Sequence, residues 1–191
     1  MGPLRSEAIP RRVRKDSPSL PRSMDGFFRF PSEGTEGDWV EYRTTYTGSG
    51  RTETAYWALI GKEQAGSWVE RRIPWEEGQF VVTRFYVEQS GRVTRAYTGL
   101  SGSVGKSIEI HEISGEEERE EVEREAENLE TAMGSLECVR VVYEGDFGET
   151  TVWTSPQVPF EGIVRMITDL VRLELVRFGR DAKPSLEIPS G

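Results

Sequence analysis

From Trp39 to Phe178 polar and apolar residues alternate in short runs, separated by turns that contain glycine or proline. Val40, Tyr42, Thr44 and Tyr46 interleave with Trp39, Glu41, Arg43 and Thr45. A period of two places successive side chains on opposite faces of an extended chain, so this run predicts a half-buried strand. Gly48-Ser49-Gly50 supplies a turn, residues 52–60 the partner strand, and 67–73, 79–88 and 92–97 follow with turns at 74–78 and at Ser90-Gly91. Five strands so closely spaced predict an antiparallel meander. After Gly134 the alternation resumes through Leu136, Cys138, Arg140 and Val142, and the turn at 145–148 leads into a strand over 150–154. Residues 163–167 and 170–178 fit either one helix or two strands, and the alternation of Val171, Leu173 and Leu175 with Arg172 and Glu174 favours strands. The expectation is a mainly β, antiparallel fold.

Between the two halves lie a glycine- and serine-rich stretch, 99–115, with one strand-like piece at 107–113, and an acidic run. Ten glutamates in 112–130 face only Arg119 and Arg124. Val122, Ala126 and Leu129 fall at i, i+4 and i+7, the spacing of a short helix with a thin apolar stripe. Like charges four residues apart oppose a helix, which points instead to a solvated loop. Helix and loop both remain open, and 112–131 is read as an acidic insertion within a single domain spanning 37–179. Residues 1–36 are rich in proline and basic side chains and read as a flexible arm, with Phe27, Phe28 and Phe30 as possible anchors to the core. Residues 180–191 read as a flexible tail.

Charge and composition exclude several functions. The chain has 191 residues and a net charge of −9. Residues 1–24 carry a local +4, so the rest carries −13. An acidic body without a basic face cannot gain much from counterion release, so nucleic acid is not an expected partner. No apolar run approaches the roughly 18 residues of a membrane-spanning helix. Cys138 is the single cysteine, so neither an internal disulfide nor a multi-cysteine metal site is expected. No apolar leader segment is visible at the N-terminus, which leaves a cytoplasmic location open beside an exported one.

The motifs that hint at chemistry each lack a part. Gly99-Leu-Ser-Gly-Ser-Val-Gly-Lys-Ser107 resembles a phosphate-binding loop, but its first glycine stands one residue too early and a strand-like segment follows it where a helix is needed. His111-Glu112 opens like a zinc-protease helix without a second histidine. No Gly-x-Ser-x-Gly elbow accompanies His111. The expectation is therefore a non-enzymatic protein without a cofactor or metal. What remains is a set of aromatic residues on strands. Tyr42, Trp57, Trp68, Phe85 and Trp153 are the candidate ligand-binding residues, and in a curved sheet they either fill a core or line an apolar pocket.

Four fragments taken together carry a resemblance: Gly37-Asp-Trp-Val-Glu-Tyr42, Gly66-Ser-Trp-Val-Glu70, Ala132-Met-Gly-Ser-Leu-Glu-Cys138, and Val152-Trp-Thr-Ser-Pro-Gln-Val-Pro159 followed by Gly162-Ile-Val. They resemble uncharacterised bacterial exported proteins with the half-barrel fold of the periplasmic lipoprotein carriers LolA and LolB, across residues 37–179. The resemblance implies a strongly curved antiparallel sheet with a short helix or acidic loop as a lid. It further implies a binding protein of the cell envelope that holds a lipid, lipoprotein or other apolar ligand on the concave face. No lipobox cysteine accompanies it, and the lid would be the acidic 112–130 run. The alternative is a structural or protein-interaction module with the same sheet filled by its own side chains, meeting partners through the N-terminal arm or the acidic segment.

Overall fold

The computed structural model describes residues 34–110, 120–145 and 148–189. The arm over 1–33 with Phe27, Phe28 and Phe30, the stretch 111–119 with His111, and the last two residues lie outside the described residues.

Eleven strands form one open antiparallel sheet. They are β1 (Asp38–Tyr46), β2 (Thr52–Glu63), β3 (Gly66–Pro74), β4 (Phe80–Glu88), β5 (Val93–Leu100), β6 (Lys106–Ser107), β7 (Glu120–Thr131), β8 (Gly134–Gly145), β9 (Gly148–Thr154), β10 (Ile163–Ile167) and β11 (Val171–Arg180). Their order is β6-β5-β4-β3-β2-β1-β11-β10-β9-β8-β7. Two meanders, β1–β6 and β7–β11, are thus joined by pairing of β1 with β11, from Asp38 opposite Arg180 to Tyr46 opposite Val171. The sheet does not close into a barrel, because β6 and β7 remain as edges. This is the mainly β, antiparallel architecture expected from the alternation, its open sheet is consistent with the half-barrel that the resemblance implied, and 163–178 is two strands as the spacing of Val171, Leu173 and Leu175 favoured.

Register assigns the faces. Val40 lies opposite Trp57, and Tyr42 opposite both Ala55 and Leu175. Val69 pairs with Phe85, and Met166 lies opposite both Leu173 and Val152. These residues share one face, and nearly all are withdrawn from solvent in a single apolar cluster. Each large apolar side chain so buried contributes about 1.5–3 kcal/mol.

The connection between β9 and β10 is a tight corner over 155–162. Its ends meet where the Ser155 amide donates to the Gly162 carbonyl at 2.8 Å, and Gly162 donates back to Pro159 at 3.2 Å. Gly162 has φ of 72°, and a Cβ there would stand 2.5 Å from the Ser155 carbonyl oxygen, so only glycine fits. Val158 is buried from this corner into the core.

Three expectations need correction. No helix occurs among the described residues, and the acidic run is neither helix nor loop from 120 onward but the edge strand β7. A strand resolves the charge conflict that a helix would suffer. Glu123 and Glu125 flank Arg140 of β8, whose Nη1 reaches them at 2.9 and 2.8 Å. The helical stripe is not used: Leu129 is buried, whereas Val122 is 48% exposed. Second, the strand-like piece at 107–113 shrinks to Lys106–Ser107 within the described residues. Third, 181–189 is not a loose tail. Leu186 is 2% exposed, and the segment is hydrogen-bonded to Trp39 of β1, to Glu70 of β3 and to the loop after β5.

Candidate functional site

Four of the five aromatic candidates meet in one apolar cluster: Tyr42, Trp57 and Trp153 belong to it and Phe85 packs against it, whereas Trp68 does neither. Tyr42, Trp57 and Phe85 share the core face, and the Trp57 and Phe85 rings stack with centroids 6.3 Å apart. Trp68 points to the other face, while Trp153 is 8% exposed and part of the core cluster although its ladder position is out of phase with the core face. Trp68 lies opposite Tyr86 and Trp153 opposite both Arg140 and Arg165, one residue out of phase with the core positions.

Of the core-face trio, Trp57 and Tyr42 are sealed and Phe85 is half-buried. Trp57 is 2% exposed and Tyr42 3%. The Tyr42 hydroxyl donates to the Ile163 carbonyl at 2.9 Å. Burial, with the negative charge of Glu161 adding to it, pushes the phenol far above its ordinary range. At the same level Arg71 lies 5.8 Å over the Trp57 ring and reaches Glu53 at 2.8 Å. Burial lowers the Arg71 pKa and the Glu53 charge opposes that. Around this interior, Tyr46, Phe85, Val93, Tyr143, Phe160 and Phe178 are partly exposed and pack against the cluster.

The two out-of-phase aromatic residues hold cations. Arg95 sits 4.7 Å from the Trp68 ring and 4.1 Å from Tyr86, while Trp68 Nε1 donates to Glu63 at 2.7 Å. Trp153 Nε1 donates to Glu127 at 2.8 Å, and Arg165 lies 5.7 Å over its ring. Cys138 of β8 is buried in the apolar cluster, where desolvation and the Glu127 charge raise its thiol pKa, so it acts as a small apolar group.

A cavity of about 170 Å³ is lined by Arg43 of β1, Val164 and Arg165 of β10, Glu174–Val176 of β11 and the β7–β8 hairpin tip at Leu129–Ala132, so it borders the core cluster at Leu129, Val164 and Leu175. β7 is four strands from β11 in the sheet order, so the hairpin tip must curl back over β10 and β11 to share this space. Glu174 sits among Arg43, Arg165 and Arg172, at 3.5, 3.5 and 2.7 Å. Burial opposes its ionisation, but the Arg172 hydrogen bond and the neighbouring guanidinium charges outweigh it and hold the carboxyl below its usual range. Sites for small molecules usually enclose about 300–1,000 Å³ and are mostly apolar. This one is smaller, rimmed by ion pairs, and lined by none of the five aromatic candidates.

The densest polar constellation is one the sequence did not single out. Glu70 of β3 is fully buried on the face opposite the core. Arg84 of β4 donates to its Oε1 from Nε at 3.0 Å and Nη2 at 2.6 Å, and Arg72 donates to Oε2 from Nε at 2.9 Å. The Ser185 amide donates to both oxygens at 3.0 and 3.1 Å, the Ser185 hydroxyl to Oε2 at 2.7 Å, and the Leu186 amide to Oε1 at 3.2 Å. Desolvation alone would raise this carboxyl, and the hydrogen bonds from Arg84 and Ser185, with the Arg72 charge, more than reverse it.

The glycine loop also belongs here. Gly99 and Gly105 bracket Leu186: a Cβ on either would stand 2.9 and 2.8 Å from that side chain. The amides of Gly102 and Gly105 donate to the Ser185 and Glu187 carbonyls at 2.7 and 2.8 Å, and Glu187 donates to Ser103 at 3.0 Å. The glycines that imitate a phosphate loop therefore make a leucine socket. Their spacing was visible in the sequence, but their purpose was hidden because Leu186 lies some eighty residues further along the chain.

Among the described residues no group of three or more His, Cys, Asp and Glu side chains is placed to hold a metal ion. The described residues contain no helix long and apolar enough to cross a membrane. No protein-family model matches the chain, and no curated protein matches it.

Proposed function

We propose that this chain is a non-enzymatic interaction module: a half-barrel-like sheet whose interior is filled by its own side chains and whose outer surfaces meet partner proteins. The observation that carries this reading is the sealed state of Trp57 and Tyr42, with the Tyr42 hydroxyl already committed to Ile163. The acidic edge strand β7 and the N-terminal arm are the surfaces through which partners are met. Native mass spectrometry of protein purified without detergent tests the reading. The bare chain mass supports it, and a stoichiometric co-purifying acyl lipid would overturn it.

A second reading has an observation of its own. The ring of partly exposed apolar residues that includes Tyr46, Phe85, Tyr143 and Phe160 borders the core, so side-chain rotation alone could admit an acyl chain toward Trp57. On this reading the protein is a lipid, lipoprotein or apolar-ligand carrier of the cell envelope, in keeping with the resemblance to the lipoprotein carriers. Recovery of lipid by solvent extraction of the purified protein is its test.

A further inference from the structure

The segment 181–189 is held as a bound peptide is held. It runs as irregular chain with a bend at Leu186, and a single parallel bridge joins Glu187 to Val104 of the glycine loop. One carboxylate, Glu70, reads two consecutive amides and the hydroxyl between them, and one socket, made by Gly99 and Gly105, reads the next side chain. Main-chain hydrogen bonds that supply affinity and a pocket that supplies specificity are the two parts of strand-addition recognition.

We propose that this groove is a peptide-recognition site, that residues 182–188 are its resident ligand, and that it accepts in trans a peptide with a small hydroxyl residue followed by an aliphatic one, as in Ser185-Leu186. The proposal rests on the interaction-module reading and gives that module a specific site and partner chemistry.

Two features fit an exchangeable occupant. The segment buries one large apolar side chain, Leu186, while Lys183, Pro184, Glu187 and Pro189 remain exposed. Few buried contacts place a segment at the low end of local stability. In addition, Glu70 stays compensated when the segment leaves, because Arg72 and Arg84 come from the sheet itself and remain against it. An emptied groove therefore holds no isolated buried charge, which is the usual penalty that would forbid opening.

The test uses full-length protein and a labelled synthetic peptide with the sequence of residues 182–188, followed by fluorescence anisotropy. In wild type the tethered segment competes at an effective concentration near the millimolar range and masks the groove. Leu186→Asp removes that competitor, so the variant is expected to bind the peptide at least about tenfold more tightly than wild type. A peptide carrying aspartate in place of its leucine is expected to bind neither protein. Absence of peptide binding to a folded Leu186→Asp variant would overturn the proposal. A wild-type dimer that becomes a monomer on Leu186→Asp would also overturn it, by assigning the groove to tail exchange between copies.

If Leu186→Asp does not fold, hydrogen exchange on wild type decides. The amides of Gly102, Gly105 and Glu187 are expected to exchange by local opening, faster than those of the core strands, and exchange only with global unfolding would overturn the site. The two readings fail separately. Bound lipid removes the module reading whatever the peptide does, and absent peptide binding with a bare native mass removes only this groove.

Discussion

Tyr42 of β1 reaches past β11 to donate its hydroxyl proton to the carbonyl of Ile163 on β10, 2.9 Å away inside the core. The bond ties the first strand of one meander to the corner strand of the other. It also occupies the one polar group that Tyr42 could offer to a ligand.

Tyr42→Phe leaves the Ile163 carbonyl without this donor. The expected loss is about 1–2 kcal/mol of unfolding free energy in urea titration at neutral pH. The pH profile carries a second signature. The folded phenol has its pKa raised by burial, so its contribution is complete below the unfolded value of about 10 and is lost progressively as pH rises above it. Wild type is therefore expected to weaken above about pH 10 more steeply than Tyr42→Phe. Parallel profiles would contradict the buried hydrogen bond.

Glu70→Gln removes the charge that Arg84 and Arg72 face. Breaking a buried pair from one side costs about 3–5 kcal/mol, so chemical denaturation should show a loss of that order at neutral pH. The folded Glu70 carboxyl is held below its ordinary value, so its stabilisation is present above the unfolded pKa of about 4.3 and fades as pH falls through the lower, folded one. The gap between wild type and variant is expected to close in acid. A constant gap would show that the charge is not what matters.

Gly99→Ala and Leu186→Ala should be coupled. A Cβ at Gly99 meets the Leu186 side chain, so shortening Leu186 relieves part of what the alanine costs. A double-mutant cycle is expected to give an interaction energy above about 0.5 kcal/mol, and strict additivity would separate the loop from the leucine.

β7 is an open edge of 12 residues. Charged side chains on such an edge prevent pairing with other sheets. Replacing Glu121, Glu123 and Glu125 together by threonine is expected to produce self-association, seen as a rise in light scattering with concentration. A variant that stays monodisperse would mean the acids serve some other purpose.

The strands of this fold were legible because each meander is local: alternation, a glycine turn, then alternation again. Even 163–178 resolved correctly, since Val171, Leu173 and Leu175 hold a period of two. The segment 120–131 was misread because Val122, Ala126 and Leu129 happen to match helical spacing, while the neutralising partner Arg140 comes from the next strand. The candidate site was less legible. The aromatic residues were found, but their faces depend on register, which separates Trp68 from Tyr42, Trp57 and Phe85, and Trp153 joins the same cluster from an out-of-phase position. Glu70, Ser185 and Leu186 left no local signal, because their meaning is a contact across 115 and 116 positions.

The most direct test of a filled interior is titration with a fluorescent fatty acid, wild type beside Trp57→Ala. The account predicts no saturable binding to wild type and binding to Trp57→Ala, where removing the indole opens an apolar cavity. Saturable, one-to-one binding to wild type would contradict it.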